Sequence, residues 1–126
     1  MRFFEPLAAC ALTLACLGTA QPASAAEVDT NLTLSIRDAS NHATSVTLEC
    51  EPTGGTHPHA ETACSTLLEA NGDFARLRHL ESMCTYIYAP VEVRVRGHWR
   101  GRDLLFQRTF SNHCIANVDS GGVFGF

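Results

Sequence analysis

Leu32-Thr33-Leu34-Ser35-Ile36-Arg37 alternates apolar and polar side chains residue by residue. A two-residue period marks a strand with one face in a core and the other in water. Asp38-Ala39-Ser40-Asn41-His42 is a turn cluster, and Val46-Thr47-Leu48-Glu49-Cys50 resumes the alternation. The two runs are therefore expected to pair as a hairpin. The pattern returns after Pro90, where Val91, Val93 and Val95 point one way and Glu92, Arg94 and Arg96 the other. Gly97 to Asp103 reads as a turn with Trp99 inside the connection, and Leu104 to Phe110 as another strand, apolar on both faces near its start. The terminal Val123-Phe124-Gly125-Phe126 reads as a last short strand.

Between these strands lie a loop and two helical patterns. Pro52 and Gly54-Gly55 make residues 51–56 a loop. Pro58 suits a first helical position, and Ala60, Cys64, Leu67 and Leu68 form an apolar stripe that Asn71-Gly72 ends as a left-handed cap. Asp73 is placed to cap a second helix, whose Phe74, Leu77 and Leu80 share a face. The order ββααββ, with the terminal strand added, predicts an α+β domain: an antiparallel sheet with two short helices on one face. No repeat, linker or second domain interrupts it.

The 126-residue chain opens with one cation, Arg2, before an apolar run from Leu7 to Leu17. Ala23-Ser24-Ala25 then supplies a small-residue cleavage signal. This is the anatomy of a secretory signal peptide over residues 1–26, leaving a mature domain of 27–126. The run is too short to span a bilayer, and no later stretch replaces it, so no membrane anchor is expected. Leu7-Ala8-Ala9-Cys10 looks like a lipoprotein cleavage box but comes too early to have a hydrophobic segment before it. The nine basic residues are all Arg, and the net charge is −4. That balance excludes a polybasic nucleic-acid or lipid binder.

Cys10 and Cys16 fall in the expected leader, which leaves Cys50, Cys64, Cys84 and Cys114. An even number in a secreted chain reads as two disulfides, with three pairings open. The sharpest metal candidate is Cys50, His57, His59 and Cys64, a ligand mix that zinc accepts. Its spacing is irregular, and thiols in an oxidising compartment bridge instead, so no metal or cofactor is expected. Six His and several Ser are present without an ordered nucleophile–base motif, which argues against an enzyme. Arg94, Arg96, Arg100, Arg102 and Arg108 cluster late in the chain. They read first as a solvated sheet face, with anion or partner binding as the alternative.

Met83-Cys84-Thr85-Tyr86-Ile87-Tyr88-Ala89-Pro90-Val91 is the most informative segment for function. It sets large apolar and aromatic residues between a cysteine and a proline. Composition supports two readings equally: a buried strand, or a pinned extended segment of the kind a protease cleft reads.

Taken in order, these pieces resemble the Streptomyces subtilisin inhibitor family over essentially the whole expected mature chain. The matching stretches include Val46-Thr47-Leu48-Glu49-Cys50, Gly55-Thr56-His57-Pro58, Asn71-Gly72-Asp73 and the 83–91 segment. Trp99-Arg100-Gly101, Arg108-Thr109-Phe110-Ser111-Asn112-His113-Cys114 and the ending Val123-Phe124-Gly125-Phe126 complete the set. The resemblance implies a five-stranded antiparallel sheet with two helices, disulfides Cys50–Cys64 and Cys84–Cys114, and a homodimer joined through the sheets. It further implies a substrate-like inhibitory loop against subtilisin-like and chymotrypsin-like serine proteases, with the reactive bond at Tyr86–Ile87. Tyr86 is then the primary specificity residue, preceded by Thr85, Cys84 and Met83 and followed by Ile87 and Tyr88. Asn112 sits where the family has an asparagine that props the loop. Three departures stand out: Thr85 where proline is common, Ala89 where an aspartate usually precedes the proline, and a slightly short stretch from Asp73 to Met83 carrying Arg76, Arg78 and His79.

Overall fold

The alternating run at Leu32 forms β1 (Asn31–Asp38), and the next forms β2 (Ala43–Glu49). In the computed structural model, which describes residues 17–20 and 29–126, the two strands pair antiparallel with Leu32 opposite Leu48 and Leu34 opposite Val46. Apart from residues 17–20, the expected signal peptide lies outside the described residues. After α1 (Ala60–Glu69) come β3 (Val91–Trp99), β4 (Arg102–Phe110) and α2 (His113–Asp119). The sheet order is β2-β1-β3-β4, antiparallel throughout, so β1 is central and meets β3 with Leu34 opposite Val95 and Ile36 opposite Val93.

One face of this sheet is the core floor. Leu32, Leu34, Leu48, Val93 and Val95 are fully shielded, and Ala63 and Leu67 of α1 and Ala116 of α2 close over the same cluster. Burying a Leu- or Val-sized side chain contributes roughly 1.5–3 kcal/mol, so this alternation is the main source of stability. The β3–β4 connection is tighter than expected. Trp99 is the last residue of β3 and buried, and only Arg100 and Gly101 turn the chain, both at positive φ (48° and 76°). Two left-handed residues match the twist of a two-residue hairpin. The Trp99 ring lies against Gly72, where a Cβ would stand 2.6 Å from the indole. Position 72 therefore needs glycine for space as well as for its φ of +76°.

Three expectations are corrected. Among the described residues the sheet has four strands, not five: residues 123–126 are held by turn bonds, with Val123 N donating to Ser120 O and Phe124 N to the Ser120 hydroxyl. Val123 and Phe124 are buried as a plug, not laddered as a strand. Residues 74–80 form no helix. Asp73 caps a single turn, its side chain accepting from Ala75 N, and residues 77–80 then carry no regular element, with Leu80 N donating to Val118 O. The second helix is instead α2, with Asn112 as its N-cap.

Candidate functional site

Between Leu80 and Pro90 the chain leaves the core and carries no strand or helix. Met83 is 97% exposed, Tyr86 96%, Tyr88 79% and Ile87 67%, which excludes the buried-strand reading of this segment. Large apolar side chains in water gain nothing from burial, so the loop's shape must come from other ties.

The ties come from α2 and from the residues leaving β4. Cys84 is bonded to Cys114 in the first turn of α2, with Cα atoms 5.8 Å apart. Asn112 is buried, and its Nδ2 donates to two loop carbonyls, Thr85 O at 3.1 Å and Ile87 O at 2.9 Å. Its Oδ1 meanwhile accepts from Ile115 N at 2.8 Å, capping α2. Ala89 N donates to Ser111 O at 2.9 Å, and Leu80 N to Val118 O at 2.9 Å. The segment 80–89 is thus laced in antiparallel order along 118–111. Tyr86 stands at the crest, its neighbours on each side held by one asparagine. The structure brings Cys84, Thr85, Ile87 and Asn112 together, and it leaves Met83, Tyr86 and Tyr88 free to project. The carbonyls of Ser111 and Val118 were not legible as site groups, because backbone acceptors have no residue-type signature.

The alternative metal set does not assemble. Cys50 and Cys64 are bonded to each other, buried, with Cα atoms 5.6 Å apart. His57 is buried with both ring nitrogens engaged: Nε2 lies 2.8 Å from Val123 O, and Nδ1 accepts from His59 N at 2.9 Å. Nδ1 as acceptor places the proton on Nε2, and burial pushes the imidazole below the usual histidine range, only partly opposed by the Val123 bond. His57 is a structural pin for the C-terminal plug, edge-on to Phe126 at 5.5 Å.

Residues 23–112 match the family described as Subtilisin inhibitor-like. The chain belongs to that family. Among relatives of this subtilisin inhibitor-like chain, Subtilisin inhibitor-like protein 2 of Streptomyces rochei is 51% identical over 83 residues, covering 64% of this chain and 74% of the relative. The Subtilase-type protease inhibitor of Streptomyces coelicolor is 52% identical over 83 residues, covering 64% of this chain and 58% of that protein. Among solved structures, Streptomyces caespitosus sermetstatin in complex with Bacillus licheniformis subtilisin superposes with a TM-score of 0.62 at 25% identity. The match covers 78% of this chain and 99% of that one. These relatives are named as inhibitors of proteases, not as enzymes.

Proposed function

We propose that residues 27–126 are a secreted inhibitor of subtilisin-type serine proteases, working through a substrate-like loop whose reactive bond is Tyr86–Ile87. The observation that carries the reading is Asn112, which bonds the carbonyls on both sides of an exposed Tyr86. A protease docks such a loop as it docks substrate. If it cuts Tyr86–Ile87, the acyl side stays tied through Cys84–Cys114 and Thr85 O, and the amine side through Ile87 O and Ala89 N. The amine then remains beside the acyl-enzyme, and religation outruns hydrolysis. Affinity follows from preorganisation, because the ~0.5–1.5 kcal/mol needed to order each flexible side chain is met in folding. Thr85 and Ala89 supply no ring or carboxylate to stiffen the loop, so the Asn112 ties carry more of that task here. Two disulfides and the expected leader suit an extracellular location.

Tyr86 also sets the range of targets. Chymotrypsin-like pockets are hydrophobic slots, whereas trypsin's pocket ends in an aspartate that an uncharged ring leaves unpaired at a cost of several kcal/mol. Titration of the purified protein against subtilisin and chymotrypsin should abolish activity stoichiometrically, with trypsin little affected. Tyr86→Arg should move inhibition toward trypsin with an unchanged melting temperature, since a side chain 96% exposed has no packing to lose. A folded protein that inhibits none of these enzymes would overturn the reading in favour of a non-inhibitory binding module. The homodimer implied by the family would use the open face of the sheet. The apolar side chains of that face are Ala43 and Leu105, the latter 85% exposed, so pairing there rests more on hydrogen bonds than on burial. Sedimentation equilibrium measures it.

A further inference from the structure

Met83 is the most exposed of the large apolar side chains described, 97% in water, and is not among those packed on the core. Its backbone is nevertheless held. Ser82 N donates to Leu80 O at 3.0 Å just before it, and the Cys84–Cys114 bridge anchors the residue after it. The thioether is therefore presented from a fixed point three residues before Tyr86. Extended chain spans at most about 3.3–3.6 Å per residue, which places Met83 within about 11 Å of Tyr86. A protease–inhibitor interface buries about 800 Å² on each partner, a patch of about 16 Å radius if circular. Met83 falls inside any such patch centred on Tyr86, and methionine is among the residues that interfaces favour. Sulfur elsewhere is shielded. The chain holds two methionines, Met1 and Met83, so Met83 is the only one in residues 27–126. Cys50, Cys64, Cys84 and Cys114 are bound in disulfides, and the Trp99 indole is buried.

We propose that Met83 is a modification site: hydrogen peroxide oxidises its thioether to the sulfoxide and so loosens the inhibitor's hold on its protease. The inference rests on the inhibitor reading above. The sulfur lone pair attacks one peroxide oxygen, the O–O bond breaks and an S–O bond forms. The departing hydroxide takes the proton from the transferred hydroxyl and leaves as water. Sulfur loses two electrons and the peroxide gains them. An apolar side chain becomes a polar, chiral one, which an apolar protease subsite must now desolvate. The fold loses nothing, because the side chain is in water before and after. Extracellular peroxide thus releases the protease, and methionine sulfoxide reductases restore the block.

The test uses purified protein treated with hydrogen peroxide, freed of it, and titrated against subtilisin. Mass spectrometry should find one added oxygen, in the peptide that holds Met83. The inhibition constant should rise by about tenfold or more, the scale set by one buried methionine, with an unchanged melting temperature. The two sulfoxide reductases, one per epimer, should together reverse the rise. Met83→Leu has no sulfur to oxidise, and its inhibition constant should not move on treatment. Met83→Gln, polar without treatment, should start near the oxidised wild type. Untreated protein that fails to inhibit subtilisin would overturn the inhibitor reading and this inference together. Three results would overturn this inference alone: no oxygen on Met83, full potency once Met83 is oxidised, or an equal loss in treated Met83→Leu.

Discussion

The two disulfides close loops of different character. Cys50–Cys64 lies inside the core cluster, joining the end of β2 to α1 where apolar packing already fixes both partners. Cys84–Cys114 lies under a loop whose large side chains are all in water. In the core the crosslink adds to packing. Under the loop it substitutes for packing, together with Asn112. The same covalent bond therefore contributes chiefly to stability in one region and to shape in the other.

The sharpest way to break this contrast is to remove each bridge in turn. Cys84→Ala with Cys114→Ala should abolish stable inhibition and turn the protein into a substrate, seen as progressive cleavage by catalytic subtilisin on a gel. Cys50→Ala with Cys64→Ala should lower unfolding free energy by about 3 kcal/mol, read from denaturant midpoints, while stoichiometric inhibition survives below the new midpoint. Equal inhibition by both folded variants would erase the distinction.

A smaller change separates the two jobs of one residue. Asn112→Asp keeps the oxygen that caps α2 but loses the amide donor to Thr85 O and Ile87 O. The loop should be cleaved faster, with stability lowered by about 1–3 kcal/mol because a carboxylate oxygen now faces two carbonyls in a buried position. Asn112→Ala loses both and should also cost about 1 kcal/mol of stability. The smallest effect belongs to the core side. His57 titrates below its ordinary value in the fold, so as pH falls through about 6.5 the unfolded chain takes up a proton that the native chain refuses. Its contribution is present above that pH and declines below it, until the native imidazole also protonates. His57→Gln should flatten the fall of melting temperature between neutral and mildly acidic pH, without changing which proteases are inhibited.

Legibility in the sequence followed the same division. The strands were readable because alternation at Leu32, Leu34 and Ile36 is set by burial on one face, and the partners Leu48, Val93 and Val95 repeat it. The 74–80 segment misled because Phe74 and Leu77 are both buried at a spacing of three, which one turn followed by irregular chain satisfies as well as a helix does. α2 was hidden because Asn112 already had a role as loop support, so its second role as cap went unread. Its single fully buried residue, Ala116, is too small to draw an apolar stripe. The terminal Val123-Phe124 looked like a strand by composition, yet the Ser120 hydroxyl and the His57 ring bind it as a turn. The loop's exposure was not legible from composition at all, since short apolar runs are equally at home in a core.

The lacing of 80–89 against 118–111 bears on what a cut would release. Severing a peptide bond in a flexible loop frees two ends, and their new disorder drives hydrolysis to completion. Here both ends would remain fastened within one or two residues of the cut, so little disorder is gained. On the proposed reading, the nicked and intact chains should lie close in free energy. A protease would then meet a substrate that it can cut and rejoin many times without running downhill.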